Sequence, residues 1–168
     1  MLEVMKVKKI LSLILAVLLL AALCGCGGTK VEYRNDVAVT DLVENVLACV
    51  SSGSDMAAMK ESYVQGLMGM DTAGYAEFAV YISALGTNID EFGIFKLGTA
   101  SAADAQKQIE AYLQMREDTW MKEYIPEEYP KLQNAEVKLC GNYIIYVLLS
   151  DSERSAALKT FEEALIKQ

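Results

Sequence analysis

Histidine is absent from the 168 residues of this chain, which also has only two prolines and one tryptophan. Without an imidazole, the chain cannot form a Ser-His-Asp triad, a histidine zinc site or a histidine acid–base pair. An enzyme built on this sequence would depend on Asp, Glu, Lys, Tyr or Cys side chains. No phosphate-binding loop, dinucleotide fingerprint, nucleophile elbow or Cys-x-x-Cys pair occurs after residue 26. We therefore expect no enzymatic activity, no catalytic residues, no cofactor and no metal site.

Long apolar runs are also missing, except near the N-terminus. Residues 10–23 form a 14-residue stretch rich in Leu, Ile, Val and Ala, and Lys6, Lys8 and Lys9 precede it. This stretch is short for a membrane-spanning helix, which needs ~20 residues, but it has the length of a signal-peptide core. We expect residues 1–25 to be a signal peptide. An uncleaved anchor and plain secretion are the alternatives.

Two cysteines at the end of this stretch decide which kind of signal it is. A lipoprotein signal needs an aliphatic residue three places before the modified cysteine and a small residue directly before it. Cys26 has Leu23 and Gly25 in those positions, whereas Cys24 directly follows the bulky Leu23. We expect Cys26 to carry diacylglyceryl and palmitate as the first mature residue. Because two acyl chains hold a protein firmly, the predicted location is the extracytoplasmic face of the cell membrane.

The charge of the remaining chain is strongly acidic. The precursor has 23 acidic and 15 basic residues, and the signal takes one and three of them, which leaves 22 and 12 and a net charge of −10. Such a surface repels nucleic acid, so no nucleic-acid partner is expected. Residues 26–38 are predicted to be the lipidated cysteine and a flexible tether. Residues 39–168 suffice for one domain, in which Cys49 and Cys140 are either free thiols or a single disulfide.

Apolar periodicity predicts an α+β domain after the tether. Two short helices, near residues 40–50 and 55–66, precede a strand at 75–83, a strand at 92–97 and a helix at 101–123. Strands at 135–140 and 143–150 flank the turn Gly141-Asn142, and a last helix follows. This ββαββα order predicts an antiparallel sheet of about four strands, in two hairpins, with packed helices. The strand from residue 143 is apolar on both sides, so it should be central and covered on both faces.

Polar residues at a predicted strand connection form the first candidate site. Asn88, Asp90 and Glu91 come just before the strand at 92–97. Loop carboxylates can bind a cation or a cationic ligand. Asn and Asp also close turns for purely local reasons. Both roles stay open, and the spacing does not match a calcium-binding loop.

An acidic and aromatic loop forms the second candidate site. Glu127 and Glu128 lie between Tyr124 and Tyr129, in the segment that holds both prolines of the chain. Aromatic rings next to carboxylates can bind sugars, peptides or cationic groups. The alternative is a solvated loop whose tyrosines pack their rings on the sheet.

Two stretches of the sequence carry a family resemblance. Residues 75–97, with the turn Thr87-Asn88-Ile89-Asp90-Glu91-Phe92, and residues 124–135, leading into Gly141-Asn142-Tyr143, resemble a family of small bacterial lipoproteins. This is the family called domain of unknown function 4358, found largely in clostridia-like Gram-positive bacteria, and the resemblance covers about residues 40–166. It implies a lipid-anchored extracytoplasmic domain with no assigned reaction, and it supplies no catalytic residues.

These features favour a non-enzymatic binding or interaction module at the cell envelope. Its expected partners are the membrane, through the lipid on Cys26, and an envelope protein, a peptide or a wall component. A carboxylate-based envelope hydrolase and a purely structural lipoprotein are the alternatives. A deep pocket with two facing carboxylates would favour the hydrolase, and a shallow acidic surface or an exposed apolar sheet face would favour binding.

Overall fold

A computed structural model of the protein describes residues 31–121 and 123–167. The predicted signal peptide and Cys26 lie outside these residues. Residues from Glu32 onward form one compact unit, which begins earlier than the boundary predicted at residue 39. Within the described ranges, none of the helices combines the length and the apolar character needed to cross a membrane.

A five-stranded antiparallel sheet organises the described residues, together with five α-helices. The helices are α1 (Val39–Leu47), α2 (Glu61–Gly66), α3 (Ala102–Asp118), α4 (Tyr129–Gln133) and α5 (Asp151–Leu165). The strands are β1 (Met56–Ala58), β2 (Tyr75–Ser83), β3 (Glu91–Leu97), β4 (Glu136–Cys140) and β5 (Tyr143–Leu148). They lie in the order β1-β2-β3-β5-β4, and every neighbouring pair is antiparallel. The predicted α+β class is confirmed.

Helices cover both faces of the sheet. One apolar cluster joins α1 and α5 to the face that carries Phe92, Ile94 and Ile145. A second cluster joins α2, α3 and α4 to the face that carries Phe95 and Tyr146. All six residues of β5 are buried, because β5 has a paired strand on each side and a helical layer on each face. The prediction that this strand is central and doubly covered is confirmed.

The segment after residue 55 differs from its prediction. A helix was expected to begin there, but residues 56–58 form β1 and α2 begins only at Glu61. Met56 pairs with Ser83 and Ala58 pairs with Tyr81, so β1 extends the sheet beyond β2. Ala and Met are good helix formers, but helix propensity is small per residue and tertiary pairing readily overrides it. The sheet therefore has five strands rather than about four.

Residues 32–37, which were predicted to belong to the flexible tether, lie against the domain. Tyr33 forms an isolated antiparallel bridge with Ile166, next to the end of α5. The backbone carbonyl of Val37 accepts a hydrogen bond of 2.6 Å from the buried hydroxyl of Tyr143. Because Tyr33 and Val37 both bury apolar surface, this segment is ordered by the same apolar cluster that holds α1 and α5.

Candidate ligand-binding cleft

A cleft of about 320 Å³ opens at one end of the sheet, where β2 ends and β3 begins. The ends of α2 and α3 form its other walls. Its apolar lining includes Leu67, Ile82, Ile89 and Met115. This volume lies near the lower limit for small-molecule sites, which are typically ~300–1,000 Å³. The cleft is thus large enough for a small ligand, and its polar groups decide which ligands suit it.

Glu91, the first residue of β3, lies at the base of the cleft in a cluster of buried polar groups. Its side chain is only 1% exposed. The Oε1 atom accepts hydrogen bonds of 2.7 Å from the hydroxyls of Tyr112 and Tyr146. The Oε2 atom forms an ion pair with Nη1 of Arg116. A buried carboxylate costs several kcal/mol unless it is paired and hydrogen-bonded, and these three partners supply both requirements.

Arg116 connects this cluster to the cleft. The Nη1 atom contacts Glu91 and also donates to the hydroxyl of Tyr112, at 2.7 Å. The guanidinium carbon lies 5.8 Å from the centre of the Tyr112 ring, within the range of a cation–π contact. Among the residues that the structure describes, Nε and Nη2 of Arg116 make no hydrogen bond. About a fifth of the side chain is exposed, and the side chain lines the cleft.

The surroundings of this cluster determine the protonation states of Tyr112, Tyr146 and Arg116. Burial raises the pKa of Tyr112 far above its usual value, and the nearby charge of Glu91 raises it further. The same two causes, in the same order, raise the pKa of Tyr146. Burial lowers the pKa of Arg116, but the charges of Glu91 and Tyr112 and the hydrogen bonds to both residues together outweigh burial, so the pKa is raised overall. Both tyrosines therefore stay protonated as donors, and Arg116 stays cationic.

α3 brings Tyr112 and Arg116 to the cleft. The helix begins at its N-cap residue Ser101, whose hydroxyl accepts a hydrogen bond of 3.1 Å from the backbone N–H of Asp104. It ends before Thr119, whose hydroxyl donates to the carbonyl of Met115, so it is shorter than the predicted 101–123. Residues four apart lie on one helix face, so both side chains reach the sheet end together.

The predicted site residues Asn88 and Asp90 lie at the rim of the same cleft, but their own chain occupies them. The carboxylate of Asp90 accepts hydrogen bonds from Lys131 at 2.7 Å, Ser52 at 2.7 Å and Asn88 at 2.8 Å. Burial lowers the pKa of Lys131, but the hydrogen bonds to Asp90 and Glu128 and the charges of both carboxylates together raise it overall. These contacts fit the turn role, in which Asn88 and Asp90 shape the rim.

The four residues of the predicted acidic and aromatic loop are separated. Glu128 turns inward, where it pairs with Lys131 at 2.8 Å and accepts from the backbone N–H of residue 89. The hydroxyl of Tyr129 donates to a carboxylate of α3 at 2.9 Å. Tyr124 is 70% exposed, and Glu127 lines a separate depression of about 200 Å³. Glu128 is linked to the turn at residues 88–91 through the backbone N–H of Ile89.

Sequence reasoning missed the role of Arg116, Tyr112 and Tyr146. Tyr112 lies in the helix predicted at 101–123 and Tyr146 in the strand predicted to be central, and neither is predicted from the sequence to be a site residue. Arg116 follows Tyr112 by four residues, so a charged side chain continues the buried stripe of Ala105, Ile109 and Tyr112. The charge of Arg116 at this position of the stripe is the feature of the sequence that could have predicted a buried partner of opposite charge.

Other surface features of the described residues are weaker candidates for a ligand site than the cleft. A larger depression of about 750 Å³ lies beside α1 and the C-terminal residues. Its charged groups include Arg34, which pairs with Asp36 at 3.0 Å, and Lys167, which pairs with Glu32 at 3.1 Å. Such exposed pairs contribute little energy and mark no site by themselves. Among the described residues, no three Cys, Asp or Glu side chains are grouped so that they could hold a metal ion.

Comparison with known proteins identifies the family of this chain. No curated protein and no solved structure matches it. The family model described as "Domain of unknown function (DUF4358)" matches residues 48–149, which is more than half of the chain. The match extends from the end of α1 to the end of β5 and includes Glu91, Tyr112, Arg116 and Tyr146. The resemblance based on the two sequence motifs is thereby confirmed, and the chain belongs to the domain of unknown function 4358 family.

Proposed function

We propose that the protein is a lipid-anchored, non-enzymatic binding module on the extracytoplasmic face of the cell membrane, and that its ligand binds in the cleft above Glu91. The observation that carries this proposal is the cluster of Glu91, Tyr112, Tyr146 and Arg116. It holds one side chain, Arg116, in a fixed place with unused donors at the wall of an apolar cleft. A binding group that is already held in position loses little entropy when a ligand binds.

The occupied carboxylates support binding over hydrolysis. A carboxylate-based hydrolase needs one group to donate a proton and a second to act as base or nucleophile, roughly 5–10 Å away. Asp90 and Glu91 both border the cleft. However, the oxygens of each accept hydrogen bonds from their own chain, and both side chains are almost fully buried. Neither is placed to exchange a proton with a substrate.

The anchoring part of the proposal depends on the spacing of residues before Cys26, and it has its own test. With Cys26→Ala, we expect loss of radiolabelled palmitate incorporation and accumulation of the unprocessed precursor. Cys24→Ala is the matched control, because it removes a thiol two residues away and should leave both labelling and processing intact. Labelling that survives Cys26→Ala and is lost with Cys24→Ala would overturn the assignment.

The binding part can be tested in living cells with a photoreactive amino acid at the cleft rim. Leu67 is 55% exposed and lines the cleft, so benzoylphenylalanine at position 67 should be tolerated there. After irradiation, we expect a discrete small mass adduct on the purified protein. Leu139 on β4 is 42% exposed and serves as the control position. Equal amounts of adduct at positions 67 and 139 would contradict the presence of a ligand in the cleft.

A further inference from the structure

We infer that the ligand of this cleft is a small organic acid. Its carboxylate binds the unused edge of Arg116, and an apolar group about the size of a leucine side chain lies between Leu67, Ile82 and Met115. The inference rests on the proposed function and names the ligand class for the same cleft.

The balance of unused donors and acceptors selects an anionic ligand. The carboxylates of Glu91 and Asp90 each accept three hydrogen bonds from side chains of their own chain. Arg116 still has the N–H groups of Nε and Nη2, which have no partner in the described part of the chain. Since these are side-by-side donors of a planar guanidinium, they match the two oxygens of one carboxylate. A cationic ligand would meet the guanidinium of Arg116 at the cleft wall, whereas both carboxylates are almost fully buried and already paired with cations of their own chain.

The charge around Arg116 limits the anion to a single charge. Glu91 pairs with Arg116, and the buried Asp90 next to it pairs with Lys131. Glu128 also pairs with Lys131, so these two cations and three carboxylates carry a net charge of −1. A dianionic phosphoryl group would be repelled by the two carboxylates at close range, whereas a carboxylate brings only one charge.

The apolar walls require a second part of the ligand. A carboxylate alone would leave Leu67, Ile82, Ile89 and Met115 in contact with water. Since each water occupies ~30 Å³ of liquid, the cleft of about 320 Å³ has room for roughly ten non-hydrogen atoms. A carboxylate joined to a branched apolar group of amino-acid size fits this volume and both kinds of lining.

The test uses the full chain, produced with its own leader, purified from membranes and labelled with carbon-13 at the methionine methyl groups. Met115 lines the cleft, so the resonance of its methyl group reports binding at that place. The probes are N-acetyl-leucine, its neutral amide, 4-methylpentanoate and inorganic phosphate. We expect N-acetyl-leucine to shift the Met115 resonance and the amide to bind at least about tenfold more weakly, because the amide lacks the charge and the second acceptor.

Two variants with the same substitution separate the cleft from the rest of the surface. Leu67→Glu places a negative charge at the rim and should weaken binding of N-acetyl-leucine by about fivefold or more. Leu139→Glu adds the same charge at an exposed site on β4 and should leave the affinity within about twofold. Both positions are exposed, so neither variant depends on a repacked core. Equal weakening by both variants would overturn the placement at Arg116.

The remaining outcomes distinguish the ligand sources and the two proposals. Equal binding of 4-methylpentanoate would support a free acid, and preference for N-acetyl-leucine would support a peptide C-terminus. Equal binding of acid and amide, or stronger binding of phosphate, would overturn the carboxylate inference. If no probe shifts Met115 while the adduct at position 67 forms in cells, only the ligand class is wrong. If that adduct is absent too, the proposed function fails with it.

Discussion

At the residue scale, Glu91 and Arg116 show how a buried ion pair constrains this domain. Three donors surround one carboxylate that is 1% exposed. A buried pair adds little net stability over apolar residues of similar size, but removal of one partner leaves an uncompensated charge. The pair is therefore better explained by its effect on Arg116, which it holds at the wall of the cleft.

Neutralising Glu91 should be costly. We expect Glu91→Gln to lower the free energy of unfolding by about 3 kcal/mol, because Arg116 loses its charged partner and the tyrosines donate to a weaker acceptor. Urea unfolding followed by circular dichroism measures this loss. The control is Glu110→Gln on the exposed side of α3, which should change stability by less than about 0.5 kcal/mol. Equal effects of the two variants would contradict the buried network.

The buried tyrosines should make the protein sensitive to alkali. Folding raises the pKa of Tyr112 and Tyr146 above the ordinary value of 10.0. The folded state then keeps protons that the unfolded chain releases, so this contribution is complete below pH 10 and is lost as pH rises further. Urea unfolding on both sides of pH 10 should show the decline. Replacement of both tyrosines by phenylalanine should make the decline less steep, and the raised pKa values of Tyr33, Tyr63 and Tyr75 should account for the remainder. An unchanged slope would contradict the raised pKa values of Tyr112 and Tyr146.

The candidate site could be predicted only where its contacts are local. Asn88 and Asp90 were recognisable because Asn and Asp close turns within two or three residues, and the cleft rim is such a turn. Arg116 was not recognisable, because it lies 25 residues from Glu91 along the chain. Tyr112 and Tyr146 fit an apolar pattern equally well with or without their hydroxyls. Which of them meet was decided by the pairing of β3 with β5 and by the packing of α3.

At the element scale, Gly93 in β3 makes room for Tyr146 in β5. The two residues are directly paired across the strands. A methyl group at position 93 would overlap the ring of Tyr146, whose hydroxyl reaches Glu91. The glycine therefore allows the tyrosine to lie flat along the sheet and to reach the cluster under the cleft.

Filling that space should disturb the cluster. We expect Gly93→Ala to destabilise the protein by about 2 kcal/mol or more, since an overpacked core must shift its strands or its rings. The melting temperature and the near-ultraviolet circular dichroism of the tyrosines would record the change. Gly66→Ala is the control, because no atom lies within 4 Å of the added methyl group and alanine favours the helix that it ends. Equal melting temperatures for both variants would contradict the close contact.

The elements themselves were predictable to different degrees. The hairpin of β4 and β5 was predictable because Gly141-Asn142 between two apolar runs favours a two-residue turn. In the structure Gly141 adopts the positive φ of +62° that such a turn requires. The central strand was found because its apolar run is long. β1 was missed because three residues carry no periodic pattern, and Met56 and Ala57 favour a helix in isolation. Its strand form depends wholly on pairing with β2.

At the scale of the whole molecule, residues 32–37 connect the beginning of the compact unit to its end. A soluble chain that begins at Val39 should be less stable than one that begins at Glu32, by about 2 kcal/mol or more. The shorter chain loses the acceptor of the buried Tyr143 hydroxyl and the bridge between Tyr33 and Ile166. Thermal unfolding of both chains measures the difference.

A point substitution provides the control for this truncation. Arg34→Ala in the longer chain removes only an exposed ion pair, so it should be nearly neutral. Equal melting temperatures of the two chains would show that the segment contributes nothing to the fold.

Residues 32–37 meet the sheet at the end opposite the cleft. Tyr33 lies against the turn at Gly141, and that turn borders the Leu97 end of β3, whereas the cleft lies at the Glu91 end. A seven-residue strand separates these ends by ~20 Å. A ligand in the cleft would therefore leave the contacts of Tyr33 and Val37 with the rest of the domain unchanged.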